Sequence, residues 1–143
     1  PAGRRDPYLV LVSEVMLQQT QAARVAERLP AFLARFPSAA ALAAAPEQAV
    51  LAAWAGLGYY RRARQLHAAA KAVTDGHGGV LPPNPDAIRA LPGVGGYTAG
   101  AIALLAFGLP EPAIDGNVTR VAMRLAAIEG PPAGPEARRG VHD

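Results

Sequence analysis

The sequence contains no cysteine and a single tryptophan, and aromatic residues make up only 6% of its 143 residues. Without cysteine the chain can form neither a disulfide nor a thiolate metal site. No apolar run approaches the roughly 20 residues of a membrane-spanning helix, and the chain does not open on the basic and apolar segments of a secretion signal. We therefore expect a soluble intracellular protein with no membrane partner and no metal site.

Lysine is also scarce, because Lys71 is the single lysine and arginine supplies almost all of the positive charge. The formal net charge is +3. The planar fork of arginine can donate two hydrogen bonds to one phosphate, so an arginine excess favours a polyanionic partner. Many basic proteins bind no polyanion, and genome composition alone can enrich arginine and alanine. Charge by itself therefore does not identify a partner.

Strand patterns are missing as well: alanine is abundant and apolar residues recur at helical rather than alternating spacing. The sequence predicts an all-α chain, and its length suits one domain with a substantial core. We expect this domain to cover residues 6–128. The remaining residues, 129–143, are rich in proline, glycine and charge and are predicted to be a disordered tail.

Capping residues and helix breakers predict where the helices lie. Asp6 followed by Pro7 is typical of an N-cap and first turn, and it predicts a helix through Leu17. Ser38 and Asn84 are predicted caps of two short helices. We also expect a helix ending near Phe36 with a kink or a new start at Pro30, one that begins at Pro46 and carries Trp54, a basic one over 61–74, and two over 97–107 and 116–128.

A glycine-rich turn, Leu91-Pro92-Gly93-Val94-Gly95, separates two of these helices. Its glycines leave backbone N–H groups uncovered at the start of the next helix, where the helix dipole also favours negative charge. A phosphate fits there, and carbonyls of the turn could hold a monovalent cation. The alternative is an ordinary turn between packed helices, which is what a glycine pair alone more often means.

Glu14 is the first candidate for chemistry. It shares a helix face with Val10, Leu11 and Leu17, so its carboxyl group is expected inside an apolar stripe. Desolvation there would raise the pKa of Glu14 and keep a proton available near neutral pH. The commoner role of a lone glutamate in such a place is to reach solvent or to bond a buried amide.

Asp115 is the second candidate, and it directly precedes the predicted helix 116–128. By itself, an N-cap is its commoner role, although a capping carboxylate is also ionised and fixed in direction. Cleavage of an N-glycosidic bond needs a neutral acid to protonate the leaving base and an ionised carboxylate beside the positive sugar. Glu14 and Asp115 fit these two roles.

Four segments together resemble adenine DNA glycosylases of the MutY type, which belong to the helix-hairpin-helix superfamily. They are SEVMLQQTQ at 13–21, GLGYYRRARQLH at 56–67, LPGVGGYTAGAI at 91–102 and IDGNVTRV at 114–121. Each alone is weak, but here they occur in the order and approximate spacing of that family. The resemblance covers roughly residues 6–128.

The resemblance implies a repair enzyme that hydrolyses adenine from double-stranded DNA, where it is mispaired with 8-oxoguanine or guanine, and leaves an abasic site. It assigns Glu14 as the acid and Asp115 as the carboxylate that stabilises the sugar, by charge or through a transient covalent adduct. Tyr97 and Asn117 would support Asp115. Related endonuclease III enzymes carry a Schiff-base lysine at the position of Tyr97, so we expect no strand cleavage.

The resemblance also implies contacts with DNA. Gln19 and Tyr59 match positions that wedge into the duplex near the base opposite the adenine. The hairpin, residues 91–95, and the following helix would contribute Gly93, Val94, Gly95 and Thr98.

The residues alone leave blander roles open for several of these positions. Gln18 and Gln19 could equally be a plain polar helix exit, and one of Tyr59 and Tyr60 is expected in the core. We expect Trp54 in the core and place His67 on the exposed surface of its helix.

Members of the resembled family begin earlier and continue into helices whose four cysteines hold a [4Fe–4S] cluster, followed by a domain that helps to recognise 8-oxoguanine. The resemblance therefore implies a six-helix barrel core with the iron–sulfur half of the fold largely missing and no cofactor in this chain. We expect a monomer in the bacterial cytoplasm, associated with the nucleoid.

Three alternatives remain open. One is a thymine mismatch glycosylase of the same superfamily, against which Gln18-Gln19-Thr20 and Gly58-Tyr59-Tyr60 favour the adenine enzyme. Another is a non-catalytic helix-hairpin-helix module, which would need neither Glu14 nor Asp115. The last is a truncated gene product without a function of its own.

Overall fold

The computed structural model describes residues 5–18 and 20–109. Within that part of the chain there are seven helices and no strand, which agrees with the predicted all-α class. The helices are α1 (Pro7–Leu17), α2 (Ala22–Arg35), α3 (Ala39–Ala44), α4 (Glu47–Ala53), α5 (Tyr60–His77), α6 (Pro85–Arg89) and α7 (Gly96–Phe107). The predicted helix 116–128 and the predicted tail 129–143 lie outside the described residues.

Three helices begin at the caps that the sequence predicts. The Asp6 carboxylate accepts the Tyr8 N–H at 3.1 Å, and the Ser38 hydroxyl accepts the Ala41 N–H at 3.1 Å. The Asn84 side chain caps α6 by accepting from the backbone N–H groups of Asp86 and Ala87, at 2.9 and 3.3 Å. The first N–H groups of a helix have no acceptor within the helix, and each such cap supplies one. A cap of this kind typically stabilises the protein by about 1 kcal/mol.

Three helices differ from the prediction. The helix predicted to begin at Pro46 and carry Trp54 is shorter, because Pro46 is the N-cap and Trp54 the C-cap of α4. α2 runs without a break through Pro30, so a new start there is wrong. Its buried face, formed by Val25, Leu29 and Phe32, packs on the core and stabilises the helix across the hydrogen bond that proline removes. α5 runs to His77, past the predicted end at Thr74.

The core is centred on α1 and α7, which pack against each other and are buried on nearly all sides. A helix that is apolar all round belongs in the interior of a bundle. α5 packs across α3 and α4, and α6 packs against α7. No described helix is long and apolar enough to cross a membrane.

Aromatic residues close one side of this core. Phe32 meets Phe36 and Trp54 edge to face, with ring centroids 5.1 and 6.1 Å apart. Trp54 is 2% exposed, which confirms its predicted core position. The buried Tyr8 hydroxyl donates to the Phe36 carbonyl at 2.7 Å and ties the start of α1 to the end of α2.

Candidate active site and nucleic-acid interface

Glu14 lies in the middle of α1 and is only 2% exposed. Its carboxyl group therefore does not reach solvent, which removes the first of the blander roles considered for it. A carboxyl group that is shielded from water and fixed on a helix can transfer a proton to a bound substrate, so Glu14 remains the candidate acid.

A hydrogen bond joins this part of α1 to the start of α7. The Gln18 side-chain amide donates from Nε2 to the Thr98 hydroxyl at 3.2 Å. Gln18 is the C-cap of α1, four residues after Glu14, while Thr98 is the neighbour of the half-buried Tyr97. The structure therefore brings the end of α1 against the first turn of α7, and Gln18, which lies at the exit of α1, also bonds to that turn.

Two residues close to Glu14 in the sequence carry buried polar side-chain atoms. Ser13 Oγ and Gln18 Oε1 are buried and have no hydrogen-bond partner within residues 5–18 and 20–109. Buried polar atoms are nearly always bonded, so such atoms deserve an explanation. Nothing in the local sequence pattern singles out Ser13.

The hairpin after α6 is a tight turn in which the Val94 N–H donates to the Leu91 carbonyl at 3.1 Å. Gly93 has φ of 75°, a conformation that side-chain-bearing residues rarely adopt. A Cβ atom at Gly93 would lie 2.7 Å from the Cβ of Gln65 on α5. Both the turn and its contact with α5 therefore require glycine at this position.

The other glycines of the hairpin face outward. Gly95 and Gly96 are exposed, and no side chain caps α7 at its start. A Cβ atom at Gly95 would meet no atom of the described residues within 4 Å. Within that part of the chain the positive end of a 12-residue helix is thus uncovered, which is the geometry of an anion site.

Val94 and Thr98, the other hairpin positions predicted to contact DNA, are 6% and 5% exposed. The Val94 side chain belongs to the core, and the Thr98 hydroxyl already accepts from Gln18. Their predicted contacts with DNA would therefore come from their backbone groups.

Both tyrosines at the start of α5 are exposed, Tyr59 at 59% and Tyr60 at 42%, so the expectation that one of them is in the core is wrong. Tyr59 has φ of 52° and is the only non-glycine residue with positive φ in the described part of the chain. Such a conformation in a bulky residue is costly and clusters at functional sites. Sequence gives no signal for it beyond the neighbouring glycines.

α5 links these tyrosines to the hairpin. Arg61 and Arg62 lie in its first turn and form no ion pair among the described residues, whereas Arg64 faces Glu47 at 3.8 Å. Gln65, which contacts Gly93, follows Arg61 by one turn on the same face. Aromatic rings, free guanidinium groups and the glycine turn are therefore supported by one helix.

His67 is 3% exposed, so its predicted surface position is wrong. It lies on the face of α5 that also buries Ala63, Ala70 and Val73. The helical spacing of those small apolar residues could have placed it there. Its Nε2 is buried without a hydrogen-bond partner in the part of the chain that the structure describes.

Three predicted site residues, Gln19, Asp115 and Asn117, lie outside the described residues. Their roles stay predictions, and so does the pairing of Glu14 with Asp115. Among the described residues, no group of three or more His, Cys, Asp or Glu side chains is arranged to hold a metal ion.

Comparison with known proteins identifies the family. The sequence model described as HhH-GPD superfamily base excision DNA repair protein matches residues 12–140, so the chain belongs to this superfamily. The chain is 46% identical to human adenine DNA glycosylase over 130 residues, which cover 90% of the chain and 24% of the human protein. It is 45% identical to adenine DNA glycosylase of Mycobacterium tuberculosis (strain ATCC 25618 / H37Rv) over 125 residues, 87% of the chain and 40% of that protein.

Solved structures agree with this assignment. The fold matches a thermostable thymine-DNA glycosylase with a TM-score of 0.72 and 28% identity, covering 97% of this chain and 73% of that one. It matches endonuclease III in a non-covalent DNA complex with the same score and identity, over 83% of this chain and 56% of that one. The predicted helix-hairpin-helix glycosylase fold is confirmed. The chain spans less than half the length of the two curated relatives.

Proposed function

We propose that the protein is a monofunctional adenine DNA glycosylase, which hydrolyses the N-glycosidic bond of adenine mispaired with 8-oxoguanine or guanine and leaves an abasic site. The observation that carries this proposal is the buried Glu14 on α1, four residues before Gln18, whose side chain bonds to Thr98 in the first turn of the helix that follows the hairpin. The identity to human and mycobacterial adenine DNA glycosylases supports it.

In the proposed reaction the buried Glu14 carboxyl group gives its proton to the flipped adenine. The glycosidic bond then breaks, and its electron pair leaves with the base. The positive charge left on the sugar is stabilised by the ionised Asp115, which Tyr97 and Asn117 orient, until water adds to the sugar and gives up one proton, which restores the Glu14 acid. Tyrosine at position 97 carries no amine for a Schiff base, so the strand stays intact.

DNA is held by contacts that do not depend on sequence. The open start of α7 at Gly95 and Gly96 receives a backbone phosphate, supported by the free guanidinium groups of Arg61 and Arg62. Tyr59, with Gln19, enters the duplex next to the base opposite the adenine. The exposure of the Tyr59 ring supports this role.

The hairpin carbonyls suit a hard monovalent cation that bridges to the phosphate. The Leu91 carbonyl already accepts the Val94 N–H and keeps one lone pair. The [4Fe–4S] cluster of the family needs cysteine thiolates as ligands, and this sequence contains no cysteine. The residues of this chain therefore do not fit the cluster. We further propose that the protein acts on duplex DNA as a monomer in the bacterial cytoplasm, where it is associated with the nucleoid.

The test is base release from a labelled duplex with one adenine opposite 8-oxoguanine. Hot alkali cleaves the strand only at an abasic site, so a product band that requires alkali indicates hydrolysis without lyase activity. We expect that result with adenine opposite 8-oxoguanine or guanine and none with an adenine–thymine pair. A band without alkali, or no band from any adenine duplex, would contradict the proposal.

A second candidate, thymine release, is favoured by the structural match to a thymine-DNA glycosylase over 97% of this chain. Identity to that protein is 28%, against 46% for the human adenine enzyme, so adenine release is preferred. The same assay on a guanine–thymine duplex distinguishes the two.

A further inference from the structure

The loop of residues 56–59, called here the tyrosine loop, is held by side chains from three other places in the chain. Arg24 on α2 donates to the Gly56 carbonyl at 3.0 Å. Thr20, before α2, is 3.4 Å from the Leu57 carbonyl, and the Trp54 indole N–H donates to the Gly58 carbonyl at 2.8 Å. Three successive carbonyls of an irregular loop thus each accept a side-chain hydrogen bond.

The Trp54 bond acts next to the unusual residue. The Gly58 carbonyl belongs to the peptide group that joins Gly58 to Tyr59. The indole hydrogen bond therefore fixes the orientation of the peptide plane that precedes Tyr59. Tyr59 has φ of 52° and ψ of 59° there. A strained conformation of this kind persists only where the surroundings determine it. Trp54 is a firm anchor, because it is 2% exposed and packs against Phe32.

Arg24 secures the other end of the loop. Its guanidinium group also lies 4.0 Å from Glu27, one turn further along α2. Arg28 lies against Gly56 so closely that a Cβ atom there would overlap its guanidinium group. Gly56 itself has φ of 92°. Arg24 and Trp54 therefore hold the Gly56 and Gly58 carbonyls of the loop, while the exposed ring belongs to Tyr59.

We propose that Trp54 and Arg24 are positioning residues: through the Gly58 and Gly56 carbonyls they hold the exposed Tyr59 ring in one orientation before DNA binds. A wedge that is ordered in advance loses less conformational entropy on binding than a mobile one. This inference rests on the proposed function only for the contact between Tyr59 and DNA.

The first test concerns the free protein. Trp54→Phe keeps an aromatic ring in the core but lacks the N–H, and Arg24→Ala removes the other donor. Arg35→Ala is the matched control, since it removes the same charge from α2 where the guanidinium group lies over the Phe36 ring instead of the loop. Amide hydrogen exchange is followed at Leu57 and Arg62, whose N–H groups are bonded to the Trp54 and Tyr59 carbonyls.

We expect exchange at these two amides to rise with Trp54→Phe and Arg24→Ala, beyond any uniform change at the amides of α7, and to stay unchanged with Arg35→Ala. Trp54→Phe can lower global stability through its smaller ring. Arg24 is at the surface, so Arg24→Ala gives the same readout without that complication. Unchanged exchange at Leu57 and Arg62 in Arg24→Ala would overturn the proposal.

The second test is a double-mutant cycle on affinity for an adenine–8-oxoguanine duplex, measured by fluorescence anisotropy. In the wild-type background we expect Arg24→Ala to weaken binding roughly fivefold, the effect of losing about one hydrogen bond. In the Tyr59→Ala background the same substitution should change affinity less than about twofold, since the positioned ring is gone. Equal effects in both backgrounds would show that Arg24 does not act through Tyr59.

The two proposals fail separately. Coupling between Arg24 and Tyr59 without any base release would uphold the positioning role and reject the glycosylase activity. Base release together with additive effects of Arg24→Ala and Tyr59→Ala on affinity would uphold the glycosylase activity and reject the positioning role. If Tyr59→Ala leaves affinity unchanged, or the wild-type protein binds no duplex, the tyrosine loop is no DNA wedge and this inference is wrong.

Discussion

At the scale of single residues, burial decides what a side chain can do. Glu14 and Glu27 carry the same carboxyl group, but Glu14 is 2% exposed while the side chain of Glu27 is 72% exposed beside Arg24. The exposed group is open to water, whereas the other is shielded from it. The two therefore form a natural pair for testing the proposed acid.

Replacing the buried acid should separate chemistry from binding. Glu14→Gln keeps size and hydrogen bonding but removes the proton, so we expect adenine release to fall by about two to four orders of magnitude. Folding and duplex affinity should stay close to wild type. Glu27→Gln is the matched control and should leave release unchanged. Near wild-type release by Glu14→Gln would show that this carboxyl group has a structural role.

Tyr97 offers a test of reaction type. Tyr97→Lys places an amine in the first turn of α7, where the related lyases carry their lysine. We expect the variant to form a covalent adduct with the sugar that borohydride traps as a slowly migrating band. The wild-type protein, run in parallel, should give none. Base release by the variant without any trapped adduct would place position 97 away from the sugar.

Tyr8 links one buried hydroxyl to the alkaline stability of the fold. Burial, with a smaller contribution from the Asp6 carboxylate, raises the pKa of Tyr8 well above its ordinary value of 10.0. The unfolded chain therefore ionises this group first, so its contribution to stability is complete below about pH 10 and is lost as the pH rises further.

The corresponding measurement is denaturant unfolding at neutral pH and between pH 9 and 11. Wild type should lose free energy of unfolding above about pH 10, and Tyr8→Phe should lose less over the same interval. At neutral pH the variant should be less stable by about 1 kcal/mol, because the Phe36 carbonyl loses its buried donor. Parallel losses in both proteins would assign the alkaline transition to other groups.

At the scale of elements, the hairpin divides its glycines between fold and ligand. Gly93 is required by its positive φ and by its contact with Gln65, whereas Gly95 has φ of −87° and open space where a side chain would be. Gly93→Ala should therefore destabilise the fold. Gly95→Ala should not, and it tests the proposed phosphate site directly.

We expect Gly95→Ala to leave the unfolding temperature within a degree or two of wild type and to weaken binding to every duplex by roughly three- to tenfold, as for one lost hydrogen-bonded contact. Gly76→Ala is the control, since a Cβ there also meets nothing within 4 Å and Gly76 lies near the far end of α5. Loss of affinity for mismatched duplexes alone would contradict a phosphate contact, which reads no bases.

Elements also show what the sequence could and could not predict. The caps at Asp6, Ser38 and Asn84 were predictable because each bonds an amide within three residues of itself. The end of α5 was not. Gly76 stays helical, and the helix closes where Gly78 and Gly79, both with positive φ, allow the Gly79 N–H to reach the Val73 carbonyl at 3.0 Å.

The site was predictable to the extent that helical spacing determines it. The apolar neighbours of Glu14 repeat along one helix, so its burial followed from the pattern. The bond from Gln18 to Thr98 joins residues 80 positions apart, and no local pattern predicts it. The hydrogen bond from Arg24 on α2 to the Gly56 carbonyl likewise joins residues 32 positions apart, and no local pattern predicts it.

At the scale of the whole molecule, the described arginines differ in whether they face an acidic side chain. Arg64 and Arg89 face acidic neighbours at 3.8 and 3.2 Å, in exposed pairs that contribute little to stability. Arg61 and Arg62 form no ion pair within the described residues and lie beside the exposed tyrosines. Two unpaired guanidinium groups of the described residues thus lie together at the start of α5, whose Gln65 contacts the hairpin.

This distribution makes the salt dependence of binding a measure of phosphate contacts. Each neutralised phosphate releases counterions, so the logarithm of the association constant falls linearly with the logarithm of salt concentration, by about 0.9 per contact. We expect a steep slope for wild type that becomes shallower by about 1 with Arg61→Ala or Arg62→Ala. Arg35→Ala, which removes a charge from the far end of α2, should leave the slope unchanged. A wild-type slope near zero would mean that base contacts carry the affinity, and equal slopes for all three variants would mean that the start of α5 does not touch the phosphate backbone.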